Sequence, residues 1–217
     1  MSSPIGGTPV VPGSAPTAIP QLLSRYPILS PPVSTAGAAV VIVLRDGRSE
    51  VETLLIERTV RDDDPASGQV AFPGGHVGEG DGSLAETAVR ELEEEVGLIR
   101  SDILGELRYV DTLLAVRFGL KVGVFAGALS ADAHAPTARS ADEVAHVFWL
   151  PRSALASSRT VVRDTSRGPA EVHATVFEGH ILWGFSRRVL CQFFGIPTDD
   201  PLIGPVFAPH PADEPDG

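Results

Sequence analysis

The chain has 217 residues, 43% of them hydrophobic, with 28 acidic against 17 basic side chains and a formal net charge of −11 at pH 7. That length and apolar content suffice for one substantial core in a single domain, while the acidity argues against a general nucleic-acid binder, whose phosphate contacts need a basic surface. The single cysteine, Cys191, stands in the run Val189-Leu190-Cys191-Gln192-Phe193, which excludes an intrachain disulfide and predicts a buried small hydrophobe in a reducing cytoplasm.

Residues 1–20 are rich in Pro, Ser, Gly and Thr, and residues 198–217 in Pro and Asp. Such compositions bury too little apolar surface to fold alone, so both read as tails around a domain spanning 21–197. The N-terminus lacks the basic start and apolar segment of a secretory signal, and no stretch approaches about 18 uninterrupted apolar residues. No membrane span is expected, and the expected location is cytoplasmic. Residues 20–26 read as a short helix, with Pro31-Pro32 as a linker to the domain.

Two apolar, β-branched runs at 38–44 and 51–56 flank Arg45-Asp46-Gly47-Arg48, and Asp-Gly in that setting is a strong hairpin signal. The unbroken apolar run from Val40 to Leu44 implies burial on both faces. Ser83 followed by Glu86 gives the capping-box pattern, Gly97 is the residue preferred just past a helix end, and Leu84, Ala85, Ala88, Val89, Leu92 and Val96 make one apolar stripe. The spacing therefore predicts a helix over 84–96 packed on a core. Residues 107–110, 120–125 and 144–150 read as further strands, and 184–194 as a second principal helix. Strands with two principal helices fit an α/β/α sandwich around a mixed β-sheet.

The first of these helices carries the run Arg90-Glu91-Leu92-Glu93-Glu94-Glu95. At about 100° per residue, Glu91, Glu94 and Glu95 share an arc of roughly 100° that borders the apolar stripe, whereas Glu86 and Glu93 lie on the far side. Like charges so close repel one another. Hard divalent cations take oxygen ligands, and Mg²⁺ is usually held by a few carboxylates together with substrate phosphates, so this arc suits a cation. A solvated acidic face is the alternative for such a run. His134, His146, His173, His180 and His210 show no metal-ligand spacing, and no zinc site is expected.

These residues resemble the Nudix hydrolases, whose box reads G-x5-E-x7-R-E-U-x-E-E-x-G-U with U apolar. Gly75, Arg90, Glu91, Leu92, Glu94, Glu95, Gly97 and Leu98 match. Gly82 stands at the family's glutamate, the stretch from Gly75 to Arg90 is one residue longer, and Asp81 supplies the acid instead. That spacing is similar to the coenzyme A pyrophosphatase branch. Its upstream pattern, L-L-T-x-T-S-A-x3-R-x3-G-x3-F-P-G-G, fits without a gap from Leu54-Leu55 through Gly68 to Phe72-Pro73-Gly74-Gly75, but Ile56, Arg58, Thr59 and Val60 replace T, T, S and A, and Asp64 replaces R. An acid there would repel a phosphate-rich ligand, with Arg58 and Arg61 available to compensate. The resemblance runs from about Ala36 to Phe194, ending in Ile181-Leu182-Trp183-Gly184, where Trp183 reads as a core or helix-start packing residue, with a substrate contact as its alternative.

The resemblance implies Mg²⁺- or Mn²⁺-dependent hydrolysis of a nucleoside diphosphate joined to another moiety. Coenzyme A or acyl-coenzyme A, giving phosphopantetheine and adenosine 3′,5′-bisphosphate, leads. ADP-ribose, NADH or a nucleoside triphosphate, and a non-catalytic Nudix-fold nucleotide sensor, stay open. It implies Glu94 and Glu95 as metal ligands, Glu91 as ligand or water-activating base, Gly75 at the metal through its backbone, and Arg90 as an orienting residue paired with Asp81 or a box glutamate. Asp81 and Gly97 are structural in the motif. Glu143 is the candidate base or ligand from outside the box, or else a loop acid facing water. Arg58, Gly68, Phe72, Gly74 and His76 are the candidate substrate contacts, His76 having solvent as its alternative. The expected partner is a small-molecule nucleotide, with no nucleic acid or membrane, and the family's frequent pairing allows a homodimer.

Overall fold

A computed structural model describes residues 18–61, 66–116, 118–165 and 168–198. Asp64, His210 and nearly all of both expected tails lie outside those residues. The architecture is organised on β1 (Ala38–Asp46), whose residues 39 and 41–44 are fully buried. Ala39, Val41 and Val43 join one core cluster, and Ile42 and Leu44 join the other. The continuous apolar run thus serves both faces of a sheet, as its pattern implies.

On one side β1 runs parallel to β6 (Leu120–Leu129), which pairs with β5 (Ile103–Ala115). On the other side β1 pairs antiparallel with two strands in succession. Its end, Leu44 to Asp46, meets β2 (Val51–Arg58) across the Asp46-Gly47 turn. Its start, Ala38 to Val40, meets β4 (Gly74–His76), with Val40 opposite Gly74. β3 (Val70–Ala71) and β7 (Val144–Pro151) also pair with β2, completing a mixed seven-stranded sheet.

α2 (Leu84–Val96) covers one face, with Leu84, Ala88, Leu92 and Val96 against Val41, Leu54, Ile56 and Phe125. α1 (Ala18–Leu23) and α3 (Gly184–Phe193) cover the other, through Ile19, Leu23, Val189, Leu190 and Phe193. The α/β/α sandwich is therefore present. Cys191 is fully buried in it, and burial pushes its thiol up. A separate antiparallel sheet of β8 (Arg159–Thr165), β9 (Gly168–Phe177) and β10 (His180–Trp183) leads directly into α3.

α2 occupies the expected span, but its caps differ in detail. Ser83 Oγ accepts from the Glu86 N–H at 3.3 Å, while the Glu86 carboxylate accepts from Gly82 N–H instead of closing the box on Ser83. Gly97 takes a left-handed φ of 75° and donates to Glu93 O. β5 and β6 run longer than their apolar segments predict, and β8 lacks a counterpart in the sequence reading. Bulges between Leu104 and Arg108 and between Tyr109 and Asp111 shift the β5 register, which breaks the period-two signal by which a strand is recognised.

Leu92 is fully buried between α2 and the sheet. Leu92→Ala is expected to lower the unfolding free energy by about 2–5 kcal/mol in urea denaturation; a loss below about 1 kcal/mol would contradict this packing.

Candidate functional site

The site forms where β4 is pressed between β1 and α2. A Cβ on Gly74 would lie 2.3 Å from Ala39 O, and one on Gly75 would lie 2.5 Å from the Glu91 carboxyl carbon. Gly74 also has φ 148°. Only residues without side chains let the strand lie this close to both neighbours.

This closeness brings two acids onto the bend. Glu95, 2% exposed, accepts a hydrogen bond from Gly74 N–H at 2.8 Å, and its other oxygen lies 3.9 Å from Arg58 Nη1. Burial pushes its carboxyl up to about 8, with Glu91 and Glu143 adding repulsion and the Gly74 N–H and Arg58 acting against it. Burial likewise raises Glu91, helped by Glu94 and Glu143 and opposed by Arg90. Two neighbouring carboxylates resist ionisation here because water is excluded and too little positive charge replaces it.

Arg90 gathers the rest. Its guanidinium donates to Glu91 Oε1 at 2.8 Å, Glu94 Oε2 at 3.0 Å, His76 O at 2.8 Å and both Asp81 oxygens at 3.2 and 3.0 Å. Asp81 also accepts from Gly78 N–H and from Thr87 Oγ1. These bonds, Arg90 first, hold the Asp81 carboxyl well below its usual range. The implied Arg90–Asp81 pairing is thus present alongside pairing to box glutamates, and Asp81 acts by anchoring Arg90.

The three glutamates do not converge as the helix arc predicts. Among the described residues no group of three His, Cys, Asp or Glu side chains stands together in a form that could hold a metal ion. Glu91 and Glu95 meet at the Gly74–Gly75 bend, whereas Glu94 is 57% exposed and turned to Arg90. An arc on a helical wheel does not register which part of it the sheet covers, and the unshared repulsion sends Glu94 to the nearest cation. The donor set still fits a hard cation: it consists of oxygens, and its deepest member is a carboxylate whose charge burial leaves poorly compensated.

Other expected residues separate into two groups. Arg58, Phe72, Gly74, Gly75 and His76 line a cavity of about 840 Å³ that opens beside the bend. Gly68 is not in its wall; with φ 65° it turns the chain ahead of β3. Arg61 is exposed and also outside the wall. His76 is exposed, and the contact it makes with Arg90 is through its carbonyl. Glu143 is exposed, fixed at the entry to β7 by Thr59 N–H donating to its carbonyl, and its charge reaches Glu91 and Glu95.

Much of the remaining wall comes from distant segments: Ala115, Val116 and Phe118 at the β5–β6 hairpin, Leu120 and Val122 in β6, and Trp183, Phe185 and Arg188 where β10 enters α3. Trp183, expected as a packing residue with a substrate contact as the alternative, lies in the cavity wall together with Phe118, Phe185 and Arg188, which no motif of the sequence marks. The one available signal was the Ile-Trp-Gly junction, which marks the turn into α3.

Asp81 is 7% exposed and depends on its bonds to Arg90, Gly78 and Thr87. Asp81→Asn is expected to cost about 1–3 kcal/mol of stability at pH 7. Because folding depresses this carboxyl from its ordinary 3.8, its contribution is present above that pH and is lost as pH falls through the folded value. The gap between wild type and variant in denaturant melts should therefore narrow below about pH 4; a gap independent of pH would contradict the ion-pair assignment.

Among the described residues no helix is long and apolar enough to cross a membrane. The NUDIX domain model matches residues 35–168. A Cronobacter sakazakii protein named Uncharacterized Nudix hydrolase NudL is 32% identical over 188 residues, covering 82% of this chain and 93% of its own. The Citrobacter koseri protein of the same name is 34% identical over 179 residues, covering 77% and 88%. Among solved structures, the NUDIX domain of Shewanella oneidensis NrtR complexed with ADP ribose is similar over 54% of this chain and 72% of its own, at 21% identity and a TM-score of 0.44. The chain belongs to the Nudix family and is a pyrophosphohydrolase, acting on the pyrophosphate bond of a nucleoside diphosphate derivative.

Proposed function

We propose that the substrate is coenzyme A or acyl-coenzyme A, cleaved to phosphopantetheine and adenosine 3′,5′-bisphosphate with Mg²⁺ or Mn²⁺. The observation that carries this reading is the cavity beside the Gly74–Gly75 bend. At about 840 Å³ it suits a large ligand, and its wall is mostly apolar, with Val40, Val70, Phe72, Phe118, Leu120 and Val122. A diphosphate at the bend with a long, weakly polar arm in the cavity matches that division. The longer spacing from Gly75 to Arg90, with Asp81 as the acid, supports the same branch.

Glu91, Glu94 and Glu95, with the Gly75 backbone, would hold the divalent ion. When bound, such an ion neutralises phosphate oxygens and lowers the pKa of a water attacking phosphorus. Arg90 holds Glu91 and Glu94 by hydrogen bonds, and its tie to His76 O couples the helix to β4. Arg58, beside Glu95 and in the cavity wall, would meet a diphosphate oxygen. Glu91 or Glu143 would take the proton of the attacking water. The apolar wall limits bulk water around the bond that breaks. Cytoplasmic location and pairing as a homodimer belong to the same reading.

Two experiments test it. Purified chain with Mg²⁺ or Mn²⁺ should release adenosine 3′,5′-bisphosphate from coenzyme A faster than it hydrolyses ADP-ribose, NADH or nucleoside triphosphates; faster turnover of any of those would displace coenzyme A. Glu95→Gln should lower turnover at least about a hundredfold with an unchanged circular dichroism spectrum, whereas near-normal turnover would remove Glu95 from the site.

A further inference from the structure

We propose that Asp102 and His134 are positioning residues for the ion site: they pin a strap, residues 130–143, whose backbone holds the last turn of α2 and with it Glu95. The inference rests on the reading that Glu95 holds the divalent ion, and it gives a role to a buried acid that lies outside the Nudix box.

The end of α2 needs support that its own sequence does not supply. It closes on Glu93-Glu94-Glu95-Val96, with no basic residue in the last turn. The C-terminal end of a helix dipole is negative and its last carbonyls lack partners within the helix, so acids there are poorly placed. Gly97 N–H serves Glu93 O. The carbonyls of Glu95 and Val96 are met from the strap: Arg139 N–H donates to Glu95 O at 2.9 Å, and Thr137 N–H to Val96 O at 3.0 Å. The Arg139 side chain brings a cation to the same end, so close that a Cβ on Gly97 would lie 2.5 Å from its Nε. Glu95 is the residue whose carboxylate meets Gly74 N–H, and a bond on its carbonyl fixes the backbone from which that side chain starts.

Both ends of the strap are tied. At its start, Ser130 N–H donates to Asp102 O at 2.7 Å. The Asp102 side chain is buried just ahead of β5; its Oδ1 accepts from His134 N–H at 3.1 Å and its Oδ2 from Ile99 N–H at 2.9 Å. His134 Nδ1 lies 3.0 and 3.1 Å from the two Asp102 oxygens and, facing an ionised carboxylate, is the donor. Burial alone would raise the Asp102 carboxyl, yet the bonds from Ile99 and His134 bring it below its ordinary value. At the far end, next to Arg58, Thr59 N–H donates to Glu143 O and Thr59 Oγ1 to Ala141 O, both at 2.9 Å.

The pin and the helix are mechanically close. Between His134 and Thr137 stand Ala135 and Pro136, and the fixed φ of the proline leaves little slack in that link. The His134 side chain is 69% exposed, so it contributes little by packing; what it supplies is the bond to Asp102. Removing that carboxylate would leave the Ile99 and His134 N–H groups without their acceptor and free the strap at the end nearer to Thr137 and Arg139. The last turn of α2 would then loosen, and Glu95 would lose its fixed aim at the glycine bend.

The test measures Mn²⁺ affinity by calorimetry and amide hydrogen exchange on the metal-free full chain, so it does not depend on turnover. Folded Asp102→Ala is expected to bind Mn²⁺ at least about threefold more weakly than wild type. Exchange at Thr137 and Arg139 should be at least about tenfold faster, with a smaller change at Leu92 in the middle of α2. His134→Ala should weaken Mn²⁺ binding in the same direction, and His134→Asn, whose side-chain amide can donate to Asp102 as Nδ1 does, should restore it. Wild-type Mn²⁺ affinity in folded Asp102→Ala, even with lowered stability in urea, would reduce the pin to a scaffold and overturn the proposal, as would a His134→Asn no better than His134→Ala. Should Asp102→Ala not fold, the two His134 variants decide, since an exposed side chain can be exchanged without loss of the fold. Undiminished Mn²⁺ affinity in Glu95→Gln would sink the ion site and this proposal together; weakened binding in Glu95→Gln beside wild-type binding in Asp102→Ala would sink this proposal alone.

Discussion

Gly74 and Gly75 bring a strand to within contact distance of both its sheet neighbour and the acidic helix, and the site follows from that closeness. A methyl group at either position would collide, in one case with the Ala39 carbonyl and in the other with the Glu91 carboxylate. The same approach lets Gly74 N–H donate to Glu95, so a backbone dipole joins Arg58 in meeting a buried carboxylate. The cost is borne at this bend: water is excluded from two acids that repel each other, and burial raises both. A site of that kind binds positive charge readily, because a cation relieves the repulsion and the desolvation together.

Arg90 is the second constraint. It spans four partners from three segments, Asp81 before the helix, His76 on β4, and Glu91 and Glu94 on α2. No single surface ion pair would hold the loop from residue 77 to 83 in place, but a planar fork with several acceptors fixes position and direction at once. Asp81 serves this purpose where the family's usual glutamate is replaced by Gly82. The one-residue lengthening of the loop is accommodated by moving the acid along with it.

Much of this was legible locally. The helix over 84–96 announced itself through Ser83, Gly97 and a 3.6-residue apolar period, and β1 through an apolar run too continuous for a strand with a wet face. The matching of Gly75, Arg90, Glu91, Glu94 and Glu95 marked the candidate residues, of which Glu91 and Glu95 meet at the Gly74–Gly75 bend while Arg90 bonds Glu91 and Glu94. What stayed hidden depends on tertiary contacts. A helical wheel places Glu94 and Glu95 on one arc of roughly 100°, and only the sheet decides that one is buried and the other exposed. β8, with Arg159, Arg163 and Asp164 around Val161 and Val162, carries too little alternation to be read as a strand. The cavity wall combines β3, the β5–β6 hairpin and the start of α3, and no local pattern links Phe118 to Arg188.

Direct measurement of ion binding bears on the central claim more closely than turnover does. Calorimetric titration of the metal-free chain with Mn²⁺, without nucleotide, should give saturable binding in wild type that weakens at least about tenfold in Glu95→Gln. Equal Mn²⁺ affinity in the two proteins would place the cation elsewhere and leave the buried carboxylate at the glycine bend without the role assigned to it.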